Sequence, residues 1–241
     1  MNWSRKVEKY FDDKSCEYDS THFAKNSYRY FVESNRTSVV SKLVKNKGKM
    51  LDVACGTGRY FSLFSEQFTY YGVDLSSKMI EICRKKGIEN LSLGNFEELN
   101  FPRDFFDTVI CINAFQYSIN PEIFIEEVCK VLKKNGELIL TVYNPYSPKN
   151  LVGMFKKLCF EPKRTIEDNP HFYRFSTIKN LFSKSGIKIA DVVYYNYIPW
   201  KLSHLPLKSN IYNALKKYEN CFETVIIPPL ASEFALRLIK N

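Results

Sequence analysis

The apolar positions along the chain change their period several times, and each change marks an element. Residues 49–54 (KMLDVA), 69–74 (TYYGVD), 106–112 (FDTVICI) and 137–143 (ELILTVY) are short apolar runs of strand length. Residues 59–67, 77–86, 121–133 and 177–185 instead repeat apolar residues at helical spacing, and several open on Ser, Thr, Asn or Pro, as helix starts do. In 121–133, Asn120 and Pro121 read as cap and first-turn proline. Ile123, Phe124, Val128, Val131 and Leu132 form one buried stripe, and Asn135-Gly136 ends the helix. Strand, helix and strand in repetition predict a parallel sheet covered by helices on both faces.

The two ends of the chain depart from that alternation. Residues 187–198, alternating and rich in tyrosine, and 233–240 both read as strands and predict an antiparallel pair at the sheet edge. Between them, 199–230 holds Pro206, Pro228, Pro229 and a helical stretch at 211–222, so it reads as an inserted cap. Residues 1–48 read as helices with an aromatic surface to bury: Tyr10, Phe11, Tyr18, Phe23, Tyr28, Tyr30 and Phe31.

Composition narrows the function. At 241 residues the chain fits one domain, and 45% hydrophobic with 25% charged residues is ordinary globular usage. No stretch approaches the roughly 18 apolar residues of a membrane span, and the opening MNWSRKVEKYFDDK has no apolar core for a signal peptide. The expectation is a cytoplasmic protein. Seven cysteines, scattered and never spaced C-x-x-C, argue against a disulfide framework or structural zinc and read as reduced, mostly buried thiols; no metal is expected. A formal charge of +9 raises nucleic acid as a partner, but the lysine pairs 85–86, 133–134, 156–157 and 216–217 fall on polar faces of expected helices rather than in one patch.

Candidate chemistry starts at Leu51-Asp52-Val53-Ala54-Cys55-Gly56-Thr57-Gly58, which leaves a buried strand and enters a helix through a tight glycine turn. Gly56 and Gly58 lack Cβ, so a ligand's polar tail can lie against main-chain N–H groups there. Asp74, 22 residues after Asp52, ends the next strand. That is close to the roughly 20-residue offset at which a carboxylate meets ribose hydroxyls, at the strand ends where open α/β sheets bind ligands. A nicotinamide enzyme is the nearest rival, but Phe61 stands where its third small residue should let helix and strand pack closely.

These residues resemble the class I S-adenosylmethionine-dependent methyltransferases, close to the small-molecule group that includes quinone-biosynthesis enzymes, most densely over 49–144. Residues 52–58 resemble the first motif, with Ala54 in place of a common glycine, and Asp74-Leu75-Ser76-Ser77-Lys78-Met79 the segment whose acid holds the ribose. Gly94-Asn95-Phe96-Glu97-Glu98-Leu99 resembles the adenine-covering stretch, with Asn95 and Phe96 beside the base. Ile112-Asn113-Ala114-Phe115-Gln116-Tyr117 resembles the loop that passes beneath the methionine moiety and faces the acceptor. The resemblance implies a Rossmann-like, seven-stranded, mostly parallel sheet with an antiparallel edge strand, helices on both faces and helical lid elements. In one domain spanning 1–241, residues 1–48 would be a helical cap, 49–144 the cofactor core, and 145–176 with 199–231 the lid insertions. The cofactor residues it implies are Asp52, Ala54, Gly56, Gly58, Asp74, Leu75, Met79, Asn95, Phe96 and Asn113, for S-adenosylmethionine and its product S-adenosylhomocysteine.

The acceptor is less legible. A sulfonium methyl is already electrophilic, so positioning carries most of the work, and a base adds help for a hydroxyl. Three histidines narrow that search. His171 comes first, in the segment after strand five; His22 is second; His204 reads as surface; Tyr18 is a further catalytic candidate. Tyr18 and Tyr28 could close over the cofactor, and Arg36 could reach its carboxylate. An adenine N-methyltransferase would carry Asn-Pro-Pro-Tyr after strand four, and a cytosine C5 enzyme a Pro-Cys there; this chain has neither, and Asn144-Pro145-Tyr146 reads as a turn one strand later. The expectation is transfer to a small molecule, on oxygen first. RNA or protein methylation, and cofactor binding without turnover, stay open.

Overall fold

The computed structural model describes residues 3–22, 27–148, 150–151, 171–197, 209–224 and 228–241. Two helices lead, α1 (Trp3–His22) and α2 (Tyr28–Leu43), followed by β1 (Gly48–Val53), α3 (Phe61–Phe64), β2 (Phe68–Asp74), α4 (Ser77–Lys85), β3 (Asn90–Leu93) and β4 (Phe106–Cys111). A 3-10 turn (Phe115–Tyr117) precedes α5 (Pro121–Val131), β5 (Leu132–Tyr143), α6 (Phe175–Ser183), β6 (Ile187–Tyr195), α7 (Ser209–Thr224) and β7 (Glu233–Lys240). The sheet has seven strands in the order β3-β2-β1-β4-β5-β7-β6. β1 to β5 pair in parallel, whereas β7 runs antiparallel to both β5 and β6. The expected Rossmann-like, mostly parallel sheet with its antiparallel pair at one edge is therefore present; β7 lies one strand in, and β6 is the edge.

Alternation along the strands builds two cores. Leu51, Val53, Val109, Cys111, Leu138, Leu140 and Val142 face α5 and α6, where Phe124, Val128, Ile178 and Phe182 cover them. Their neighbours Met50, Ile110 and Ile139 face the other way, onto Val39, Val40 and Leu43 of α2, Phe64 of α3 and Ile80 and Cys83 of α4. Both faces of each central strand are apolar because both are covered, as a parallel sheet requires.

Several boundaries differ from the sequence pattern. Residues 59–67 form a helix only at Phe61–Phe64, because Gln67 already accepts from Gly48 N and Phe68 opens β2. Helix α5 stops at Val131, so Leu132 pairs with Phe106 as strand, and a register shift absorbs the Asn135 turn, φ +61°. The helix expected at 177–185 starts and ends two residues earlier, at Phe175–Ser183. β3, four residues on the edge, was not anticipated from the pattern.

Cys55, Cys83 and Cys111 are buried free thiols, Cys129 is half-buried and Cys16 is exposed. Among the described residues no helix is long and apolar enough to cross a membrane, and no group of three or more His, Cys, Asp or Glu side chains is placed to hold a metal. Phe23, Lys156, Lys157, Cys159, Pro206 and His204 lie outside the described residues, as do 152–170 and 199–208 of the expected lid insertions.

Candidate active site

The C-terminal ends of β1, β2 and β4 meet at a cavity. β1 gives way to a loop with Ala54 (φ +60°), Gly56 (φ +53°) and Gly58 (φ +74°) all left-handed. Ala54 thus occupies a conformation that favours glycine, which accounts for the residue usual in the resembling motif and costs alanine roughly 1–2 kcal/mol. The loop is pinned to β2 by Cys55 N donating to Val73 O (3.0 Å) and Gly56 N donating to Asp74 Oδ2 (2.7 Å). Asp74 Oδ1 accepts from Ser76 N at 2.9 Å. Burial pushes the Asp74 carboxyl up while these amides hold it down, the net shift being upward. A carboxylate has about four acceptor sites, so Asp74 keeps capacity for a ligand's hydroxyls.

The cavity is lined by Ala54, Gly56, Asp74, Leu75, Met79, Asn95, Phe96 and Asn113, with Val73, Ser76, Gly94, Ile112, Ala114 and Tyr117 beside them. The geometry fits a nucleoside: a carboxylate with spare lone pairs, apolar walls at Leu75, Met79 and Phe96, and open space at Gly56, where a Cβ would meet nothing within 4 Å. Asn113, itself left-handed at φ +57°, is fixed by its N–H donating to Thr141 Oγ1 (2.8 Å) and by Gln116 Nε2 donating to its carbonyl (2.8 Å).

Asp52 and Gly58 do not line the cavity. Asp52 is buried, accepts from Tyr70 Oη at 2.5 Å, and is pushed up to about 7, first by burial and further by nearby Asp74, the Tyr70 bond opposing. Gly58 is a packing glycine, since a Cβ there would lie 2.4 Å from Ile88 Cδ1 and 3.0 Å from Cys83 Sγ. The single helical turn of α3 is too short to supply the helix N-terminus anticipated for the ligand's tail.

The fourth wall is α1, through Val7, Glu8, Phe11 and Tyr18. Val7, Phe11 and Tyr18 recur at helical spacing, the signal that marks this face; Glu8 carries none. Polar contacts along its length latch α1 down. Trp3 Nε1 donates to Tyr117 O (3.1 Å), Ser76 Oγ to Asp12 Oδ1 (2.5 Å) and Thr57 Oγ1 to Asp19 Oδ1 (2.6 Å), with Lys86 Nζ bonded to both Asp19 Oδ2 (2.8 Å) and Thr57 O (2.7 Å).

Of the catalytic candidates, Tyr18 lines the cavity and the two described histidines do not. Burial raises the Tyr18 phenol, with Glu33 adding to it, so it stays protonated at neutral pH. His22 stacks on the Tyr18 ring at 4.2 Å, its Nδ1 lies 2.9 Å from Tyr18 O, and burial lowers its pKa. His171 is exposed and held by its own N–H donating to Gln116 O (3.0 Å), its ring 6.5 Å from that of Trp3.

Arg36 does not face the cavity. Its guanidinium bonds Glu233 at 2.8 and 2.9 Å and Glu33, which also pairs with Arg59. Tyr28 packs with Phe31 and Val32 against Tyr212 and Leu215. Asn144 Oδ1 accepts from Tyr146 N at 3.1 Å, the turn expected there.

Residues 51–140 match the family model described as a methyltransferase domain. The chain is 26% identical over 228 residues to an uncharacterized protein of Methanocaldococcus jannaschii, covering 88% of this chain and 86% of that one. It is 28% identical over 199 residues to the ubiquinone biosynthesis O-methyltransferase of Rickettsia akari, covering 77% and 78%. In fold it superposes on magnesium protoporphyrin IX methyltransferase of Synechocystis, solved with bound S-adenosylhomocysteine, at a TM-score of 0.68 and 16% identity over 100% of both chains.

Proposed function

This chain is a class I S-adenosylmethionine-dependent methyltransferase, and from that premise we propose that it methylates a small-molecule acceptor on oxygen, in the cavity between α1 and the sheet. The observation that carries the reading is the convergence on one cavity of Gly56, Asp74, Asn95 and Asn113, from four separate segments of the chain. In this reading Asp74 accepts the ribose hydroxyls, Leu75, Met79 and Phe96 hold the adenine with Asn95 at its edge, and Ala54, Gly56 and Asn113 flank the methionine tail. Asp52 and Gly58 act behind them, on the shape of the loop. The cofactor, when bound, supplies an electrophilic methyl group.

What remains for the protein is alignment, worth up to about 7–11 kcal/mol in well-oriented systems. Tyr18, protonated and facing the cavity, donates a hydrogen bond to the acceptor oxygen and fixes its direction; it orients rather than deprotonates. His22 backs the Tyr18 ring, and His171, tied by its main-chain N–H to Gln116 O outside the cavity lining, takes no part in the transfer. The cavity, roofed by α1, suits a small acceptor better than a nucleic acid. The likeness to a ubiquinone biosynthesis O-methyltransferase supports oxygen as the accepting atom.

Calorimetric titration of S-adenosylmethionine and S-adenosylhomocysteine tests the site. Micromolar binding to wild type, weakened by at least about tenfold in Asp74→Ala, is expected, since a lost charged hydrogen bond is worth roughly 1.5–3 kcal/mol. No binding of either ligand to folded wild type contradicts it.

A further inference from the structure

The charged lining of the cavity is one-sided. Glu8 and Asp74 are its carboxylates, and among the described residues no Lys, Arg or His lines it. Asp74 already accepts one backbone amide on each oxygen. The half-buried Glu8 carboxylate receives no hydrogen bond and no ion pair among the described residues. A carboxylate beside a cavity loses its water when the cavity fills, at a cost unless the incoming ligand brings a donor or a positive charge. Glu8 is also held in place: Asp12, one turn further on, is bonded to Ser76 Oγ, and Phe11 packs edge-on against Tyr117 at 5.6 Å.

We propose that Glu8 is a cofactor-binding residue that recognises the sulfonium charge, so that the cavity holds S-adenosylmethionine more tightly than S-adenosylhomocysteine. The inference rests on the reading of this cavity as the cofactor site. The two ligands share adenine, ribose and amino-acid tail and differ by one methyl group and one positive charge. At an effective dielectric constant near 20, a carboxylate sharing a cavity with that charge changes affinity by about tenfold. During transfer the acceptor oxygen forms its bond to the methyl carbon, the C–S electron pair stays on sulfur, and the hydroxyl proton leaves to solvent. The thioether left behind is neutral, so Glu8 no longer holds it and product leaves. The same charge repels carboxylate and phosphate acceptors and admits neutral hydroxyl compounds.

The test is calorimetric titration of both ligands against wild type, Glu8→Gln and Asp74→Asn at one ionic strength, with folding checked by circular dichroism. Glu8→Gln keeps the side chain's shape on a partly exposed helix. It is expected to weaken S-adenosylmethionine about tenfold and S-adenosylhomocysteine less than about twofold, whereas Asp74→Asn, which removes a ribose acceptor common to both ligands, weakens S-adenosylhomocysteine as well. An unchanged ratio of the two dissociation constants in Glu8→Gln overturns the inference, including the case in which both weaken together and Glu8 merely seats α1. If neither ligand binds wild type, the cavity reading falls and this inference with it.

Discussion

Gly56 and Gly58 lie two residues apart in one left-handed loop, yet their missing side chains serve different ends. A methyl on Gly58 collides with Ile88 and Cys83, whereas one on Gly56 enters open space beside the ligand. Gly58→Ala is expected to lower stability by about 2–4 kcal/mol, from left-handed strain plus overpacking. Gly56→Ala is expected to cost only the strain, about 1–2 kcal/mol, while crowding the cavity and weakening S-adenosylhomocysteine. Urea unfolding and calorimetry on both variants separate the two. Equal loss of stability with equal affinity would show that the glycines are interchangeable. The sequence put both in the ligand site because both belong to one motif; it could not say which hydrogen faced Ile88, 30 residues on. Asp52 is parallel: its place in the motif was legible, but its burial and its partner Tyr70 come from the pairing of β1 with β2.

At the scale of elements, α1 is the part whose role the pattern understated. Its apolar positions announced a helix with a face to bury, while the surface receiving that face is assembled from three loops that no local pattern joins. The Asp19 contacts to Thr57 and Lys86 tie its C-terminal half to the glycine loop. Lys86 and Asp19 are each about two-fifths exposed, so that ion pair is worth little by itself, and the buried Thr57 bond matters more. Asp19→Ala is expected to speed hydrogen exchange of amides 12–22 by about tenfold, a loss of one bond of roughly 1–1.5 kcal/mol, with β1 amides unchanged. Exchange measured by mass spectrometry checks this, and no change in α1 would mean the other latches suffice. The short α3 makes a related point. Nine residues of helical pattern yield one turn because the Gly58 bend at one end and the start of β2 at the other leave no room.

For the molecule as a whole, one buried network ties chain positions far apart. Arg36 of α2 joins Glu233 of β7 and Glu33, Glu33 joins Arg59 beside the glycine loop, and Tyr195 and Asn196 also donate to Glu233. Partnered burial raises the Arg36 guanidinium pKa and lowers that of Glu33, against the desolvation that opposes each. Arg36→Met leaves Glu233 without its main partner and is expected to cost about 3–5 kcal/mol in urea unfolding, as removing one member of a buried ion pair does. A loss under about 1 kcal/mol would place the pair in solvent-like surroundings.

Sequence alone determined the strand and helix alternation, the parallel core and the cofactor motif, because period and turn chemistry are set by near neighbours in the chain. Only the tertiary structure decided that Arg36 pairs within the protein rather than with a ligand, that β7 inserts between β5 and β6, and that Glu8, without a partner among the described residues, lines the cavity. Each depends on segments up to two hundred residues apart meeting, and which segments meet is fixed by topology and burial, not by any pattern a local window contains.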